Sequence, residues 1–413
     1  MKTAPAGSSA ATPWYHTLTA LIVAGCLVSI VNFGIRSTFG FFTLPVSEAH
    51  GWPHEVFSFA MAVHNLVWGL ATPVAGMLAD RYGSARVLIV GAVIYCAGLV
   101  MMAFTETAFM FNVGGGLLVG VGVAFSSFSI VMAALGRIVP PERRSWSFGI
   151  ATASGSMGQF IFAPLGASLI QAYGWQNALV VLAALSLLII LFALPLMVQN
   201  TSSSARNADE ADLTMRQAIG TAFGHRSYLL LVSGFFVCGF QLAFIVVHMP
   251  PYLAEHGISK EFAGFAMGLI GLFNVVGSYV SGLIGGKGEK RVPLAVIYLL
   301  RSLIVAGFVL LPVSNTTTLL FTITMGLLWL STVPLTMGLV TSMFGTRYMA
   351  TLYGFVFVSH QVGSFLGVWL GGKLYDVFGN YDIVWWLSVA LGVFAFLINL
   401  PIREQREARF AAA

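Results

Sequence analysis

Residues 59–61 read Phe-Ala-Met, and residues 265–267 read Phe-Ala-Met again, 206 positions later. The same offset pairs Pro45 with Pro251, His50-Gly51 with His256-Gly257, Glu55 with Glu261 and Gly76 with Gly282. Between 45–76 and 251–282, 10 of 32 positions are identical. At an offset of 205, Gly149, Ser154, Gly158, Phe160, Leu165, Gly166, Leu169, Gly174 and Leu182 recur as Gly354, Ser359, Gly363, Phe365, Leu370, Gly371, Leu374, Gly379 and Leu387, giving 9 identities in 34. The chain is two related halves, and both are greasy. Apolar residues make up 58% and charged residues 8%, against about 25% charged in a soluble domain. A surface that poor in charge needs lipid as its solvent. Duplicated membrane bundles place a substrate site between the halves, near the bilayer midplane.

Long apolar runs occupy Thr17–Phe42, Val56–Ala79, Val87–Phe104, Ala108–Gly136, Ser147–Gln171 and Asn177–Val198. A second set occupies Tyr228–Leu253, Phe262–Gly285, Val292–Leu311, Thr317–Phe344, Tyr348–Tyr375 and Ile383–Leu400. Each is long enough, as a helix, to cross roughly 30 Å of hydrocarbon. Open sheets are excluded because strand edges cannot be satisfied in lipid. The expectation is an all-α membrane protein of twelve transmembrane helices in two six-helix repeats. Its divisions are 1–198, a linker at 199–227, and 228–413. The linker is the only long polar stretch. It starts as a flexible tether and turns amphipathic at Leu213–Phe223, which suggests a short interfacial helix. Met1–Trp14 lacks the basic start and cleavage pattern of a signal peptide.

Orientation follows from the basic residues. Sixteen of the twenty Lys and Arg lie at the termini or in the loops after even-numbered helices; only Lys260 and Lys373 lie on the other side. The bias places both termini in the cytoplasm of a multi-pass plasma-membrane (bacterial inner-membrane) protein. The remaining two, Arg36 and Arg301, fall inside spans. The net charge of +5 thus reflects topology and does not point to nucleic acid.

Between helices 2 and 3 stands Gly76-Met-Leu-Ala-Asp80-Arg81-Tyr-Gly83-Ser-Ala-Arg86. With twelve spans and a six-helix repeat, this loop resembles the signature of the major facilitator superfamily. Its glycines permit close helix contact and a tight turn, and Asp80 can sit against a neighbouring helix N-terminus. The resemblance implies a latch made by Gly76, Asp80, Arg81, Gly83 and Arg86, broken and remade during transport. The second half has Gly286 in place of the Asp, so a latch there would be weaker or differently made. Helix 5 carries Gly155, Gly158 and Pro164, and helix 11 carries Gly363 and Gly367, small-residue spacings that suit close helix packing or sliding.

Within the superfamily the chain resembles the monocarboxylate transporter and oxalate–formate exchanger branch. The residues concerned are Asn32-Phe-Gly-Ile-Arg36 in helix 1, Ala163-Pro-Leu in helix 5, and Val358-Ser-His360-Gln361 with Gly371-Gly-Lys-Leu-Tyr-Asp376 in helix 11. The resemblance implies a small organic anion as substrate, a monocarboxylate or short dicarboxylate, moved with protons or by exchange. Many members hold the carboxylate with an Arg in helix 8, with an Asp four residues earlier; here those positions are Ser278 and Asn274.

None of the fifteen acidic residues lies deep in a span, which argues against a carboxylate proton relay or a buried acid for a cationic drug. Inside the spans remain Arg36, Arg301, His64, His248 and His360. Arg36, with its bidentate fork, is the candidate anion anchor; Arg301, on a peripheral helix, is read as structural. His360 and Gln361, and His248 following Gln241, are candidates for proton or substrate contact, with hydrogen-bonded packing the competing reading. Cys26, Cys96 and Cys238 read as buried small hydrophobes without metal-type spacing. No cofactor, metal or enzymatic nucleophile is indicated, and a monomer is expected. Efflux of drugs or neutral compounds is the alternative transport reading, and a membrane sensor the alternative of another class.

Overall fold

The structure, a computed structural model, describes residues 17–52, 54–197 and 213–410. Twelve membrane-length helices account for most of it: α1 (Leu18–Ser37), α2 (His54–Tyr82), α3 (Ser84–Phe104), α4 (Ala108–Ile138), α5 (141–173), α6 (175–197), α7 (Arg226–Glu255), α8 (Lys260–Gly285), α9 (Arg291–Leu310), α10 (Asn315–Phe344), α11 (Met349–Phe378) and α12 (Asp382–Asn399). Helices α5 and α6 run on through 57 residues, which as one straight rod would reach about 85 Å, far beyond a bilayer. The run turns at Gly174, whose φ of 78° and ψ of 163° are non-helical and suit glycine because a Cβ would clash there. Gly83, at φ 96°, makes the equally tight passage from α2 to α3. Of the linker, the first part lies outside the described residues. Its end is the short helix Met215–Gly224, opened by a Thr214–Gln217 capping box.

The duplication is visible as repeated packing. A Cβ on Gly158 of α5 would meet the backbone of Ile30 of α1 at 2.8 Å, and one on Gly166 would meet Thr38 at 2.7 Å. Adding the repeat offsets, Gly363 of α11 lies against the backbone of Phe236 of α7, and Gly371, the counterpart of Gly166, against His248 of α7; between them Gly367, which has no glycine counterpart, lies against the backbone of Phe240. Glycine therefore brings α5 onto α1, and α11 onto α7, within each half. Gly155 faces the Phe33 ring of α1 in the same way, while Pro164 is exposed on α5.

Other glycines bring the halves together. Gly149 of α5 touches Gly282 of α8, with a would-be Cβ 2.7 Å from the Gly282 Cα. Gly76 and Pro73 of α2 meet Ala350 and Gly354 of α11. These contacts lie on the side that carries the termini and linker. Every residue of α11 from Met349 to Phe357 except Phe355 is buried, whereas Val362, Phe365 and Trp369 farther along are exposed, Phe365 by 63%. On α8, Gly264, Gly268 and Gly271 have nothing within 4 Å of a would-be Cβ. The halves are closed on the linker side and part beyond the middle.

A large side chain at the Gly149–Gly282 crossing cannot be accommodated without separating α5 from α8, since backbone lies directly opposite. Gly149→Leu should therefore lengthen the spin-label distance between cysteines placed at Arg86 and Lys287, exposed positions in the two halves. An unchanged distance would show that closure does not depend on this crossing.

Candidate functional site

Two helices are broken where the halves meet. Helix α4 is interrupted at Ser126–Ser127 and α10 at 329–331, positions related by the repeat. Irregular backbone at membrane depth needs internal partners. Asn32 of α1 donates to Ser126 Oγ at 2.6 Å. At the second break, Asn274 Oδ1 of α8 accepts from Leu330 N at 2.9 Å, Ser281 donates to the Ser331 carbonyl, and Arg301 donates to the Leu328 and Trp329 carbonyls. Arg301 is fully buried. Its contacts are those of a cation closing the C-terminal end of a half-helix.

Arg36 is placed differently. Its guanidinium lies 4.7 Å from the centroid of the Trp68 ring, and Nη2 donates to Asn65 Oδ1 at 3.2 Å, both partners on α2. Its Nε is buried without an acceptor, and no ion pair to it occurs among the described residues. The Asn65 carbonyl accepts from Gln361 Nε2 of α11 at 2.9 Å, and Gln361 Oε1 lies 3.1 Å from His360 Nδ1. A polar chain thus runs Arg36–Asn65–Gln361–His360 from the first half into the second, at the depth where the halves begin to part. Beneath it Phe33, Trp68, Phe128 and Phe357 form a ring cluster, with Trp68 and Phe357 centroids 4.9 Å apart and His360 stacked on Phe357 at 5.3 Å. Arg36, Gln361 and His360 are brought together. Asn65 and Trp68 join them although they carry no motif; Asn65 was detectable only as an amide inside a span.

The remaining candidates lie apart from this chain. Gln241 is fully buried and donates to the Ser388 carbonyl of α12 at 3.0 Å. His248 bonds the Val368 carbonyl at 2.9 Å and packs on Gly371, fastening α7 to α11. Asn274 donates to Ser156 of α5 at 2.6 Å and accepts from Ser278 at 3.1 Å. That pair ties α8 to α5 across the halves as well as to the α10 break. His64 is buried between Phe39 and Trp68.

On the linker side, the Asp80 carboxylate is wholly enclosed. One oxygen pairs with Arg137 of α4. The other accepts from Thr351 N at 2.8 Å and Thr351 Oγ1 at 2.6 Å. Thr351 is the third residue of α11, so a side chain of the first half caps a helix of the second, where free N–H groups and the positive helix pole favour an anion. Gly76 lets α2 reach the start of α11, and Gly83 turns the chain away, while Arg81 and Arg86 are exposed. The equivalent loop of the second half is tied elsewhere. Arg291 N donates to Glu404 at 2.7 Å, Lys290 lies 3.7 Å from the same carboxyl group, and Glu289 pairs with Arg291. Its charges engage the C-terminal tail and each other.

Residues 25–368 match the Major Facilitator Superfamily. Monocarboxylate transporter 13 of Rattus norvegicus is 26% identical over 387 residues, covering 92% of this chain and 88% of that protein. An uncharacterized transporter of the major facilitator type from Bacillus subtilis (strain 168) is 22% identical over 381 residues, covering 91% of this chain and 92% of that protein. Among solved structures, the fucose:proton symporter of E. coli superposes with a TM-score of 0.71 at 14% identity, covering 92% of this chain and 98% of that one. A proton:xylose symporter gives 0.70 at 13% identity, covering 94% and 96%. At such identities the structures speak for the fold alone, and with the family match they make the twelve-helix chain a member of the major facilitator superfamily of membrane transporters.

Proposed function

We propose that the chain carries a small organic anion with a single carboxylate, held at Arg36 between the halves, by proton symport or anion exchange. The observation that carries this reading is the state of Arg36. A cation within a span costs several kcal/mol unless paired, and here its partners are one amide oxygen and one aromatic ring. A substrate carboxylate would supply the missing charge, and the guanidinium fork suits its geometry. The similarity to monocarboxylate transporters supports the same class. Arg36→Lys keeps the charge and loses the fork; Arg36→Gln loses both. Monocarboxylate affinity should fall by roughly tenfold in the first and a hundredfold in the second, following the about 1.5–3 kcal/mol of a charged hydrogen bond. Normal binding by both purified variants would place the anion elsewhere.

The basic residues support cytoplasmic termini, which makes the linker side cytoplasmic and the gap between the halves outward-facing. A membrane-impermeant maleimide applied to intact cells should label a cysteine introduced at Glu106 and spare one at Lys287, in a background without native cysteines. The opposite pattern would reverse the orientation.

In this cycle the Asp80 contacts hold the cytoplasmic side shut and must break for release. Asp80→Asn removes the ion pair with Arg137 and weakens the cap on α11, shifting the balance between states. Transport should slow by about tenfold, equivalent to about 1.4 kcal/mol, with substrate binding retained. A well-expressed variant transporting at the parental rate would exclude the latch role.

A further inference from the structure

Arg36 is not the only group here with a free donor. Its guanidinium lies 4.7 Å from the centroid of the Trp68 ring, and the Trp68 indole N–H is also buried without an acceptor. Trp68 is 5% exposed. Its ring packs on Phe33 at 6.1 Å, on His64 at 6.4 Å and on Phe357 of the other half at 4.9 Å. An aromatic face is a weak acceptor at best, and a buried N–H left unpaired is costly. Neither residue can relieve the other, because arginine and tryptophan carry donors only. Unpartnered buried donors occur elsewhere, at Tyr298 and Trp385 among others. Tyr298 also lies near an arginine, 5.6 Å from Arg301, but each side-chain nitrogen of Arg301 already has an acceptor. Trp385 stands among the rings of Phe244, Tyr252, Phe308 and Phe321. At Arg36 and Trp68, two free donors adjoin, one of them cationic, beside the exposed Asn65 where the halves part.

We propose that Trp68 is a substrate-binding residue, and that one carboxylate accepts from Arg36 Nε–H and Trp68 Nε1–H together. This rests on the assignment of the anion to Arg36 and deepens it. A carboxylate is acceptor-only and has two oxygens, so it satisfies both donors and the charge at once. An amide or ammonium group would bring donors against donors, so the pair selects the acid over its amide. Both N–H groups are covered in this state, and the carboxylate reaches them as the Asn65 side chain gives way. The indole itself is held in place. Gly69, the next residue, packs on Gln361 of α11, with a would-be Cβ 2.7 Å from the Gln361 Cβ, and the Phe357 ring lies against the indole from the same helix.

The test uses the full-length purified protein with acetate, propionate, pyruvate and benzoate as probes. Trp68→Phe keeps a ring for the Arg36 guanidinium and loses the N–H. Replacement of Trp68 by benzothienylalanine also keeps the bicyclic shape, with sulfur in place of the N–H, and so separates the hydrogen bond from packing. Both changes should weaken the acid that the parent binds best by roughly tenfold, the isostere without loss of thermal stability. With isotope-labelled indole nitrogens, the Trp68 N–H signal is identified by its absence from Trp68→Phe. Its proton should move downfield when that acid is added and stay in place with the corresponding amide. Parental affinity in the benzothienylalanine protein, or an indole signal unmoved at saturating acid, would overturn the indole contact and leave Arg36 as the anchor. Parental affinity in Arg36→Gln would overturn the anchor and the shared site with it. A parent that binds none of the probe acids would overturn both.

Discussion

An unpaired charge or backbone group is expensive in hydrocarbon, and the placement of the side chains at the helix breaks and of the enclosed Asp80 follows from that cost. Asp80 is enclosed, and its two oxygens face a guanidinium and a helix N-terminus. The α10 break exposes carbonyls and an N–H, and Arg301, Ser281 and Asn274 meet them. The α4 break is met by Asn32. Gln241 and His248 spend their donors on carbonyls of their own half. Among the charged groups held within the membrane, Arg36 is set apart from Arg301. Two arginines lie within the spans; one is closed off by backbone carbonyls, and the other keeps a donor without an acceptor.

Duplication explains why the breaks come in pairs and why glycine recurs at the α1–α5 and α7–α11 crossings. It also makes the asymmetries informative. Asp80 of the first half caps α11, while Gly286 stands at its counterpart and the neighbouring charges turn to the C-terminal tail. Closure on the linker side is thus electrostatic at one crossing and steric at the other, where Gly149 meets Gly282. Asn32, which supports the α4 break, corresponds by the repeat to Cys238, which lies against Thr332 at the α10 break. Each half therefore serves its break with a different side chain at the same position.

The twelve spans, the repeat and the signature loop are all legible in the chain because they rest on local composition and fixed spacing. The gap between the fifth and sixth apolar runs, at 171–177, is legible too, but the conformation that makes the turn there is not. That turn depends on Gly174, and the repeat had marked that glycine only as an identity with Gly379. Partners are not legible at all. Nothing near Asp80 points to Arg137 or to Thr351, because these contacts come from helices packed across the fold. For the same reason Gln241, His248 and His360 look alike as polar residues in apolar runs. Only the neighbours distinguish a residue fastened to a carbonyl of its own half from one that joins a chain crossing between halves. Cys238 illustrates the limit most clearly: by composition it is a small hydrophobe, yet it touches a buried arginine.

Asn65 offers a physical route from binding to closure. Its side-chain oxygen holds Arg36, and its main-chain carbonyl holds Gln361 of the other half. A carboxylate entering the Arg36 fork would compete with the Asn65 side chain and free that amide, while the carbonyl bond to Gln361 could remain. The Asn65–Gln361 bond is one of the outermost links between α2 and α11 before the exposed stretch that begins at Val362. A change at Asn65 therefore acts where the halves start to separate, and a small shift there is multiplied along the length of both helices. Because Gln361 also holds His360, the same movement reaches the imidazole. If the anion is held at Arg36 as proposed, its binding, the gap between the halves and the environment of His360 would depend on one another through two hydrogen bonds on a single asparagine, the kind of coupling that alternating access requires of a site.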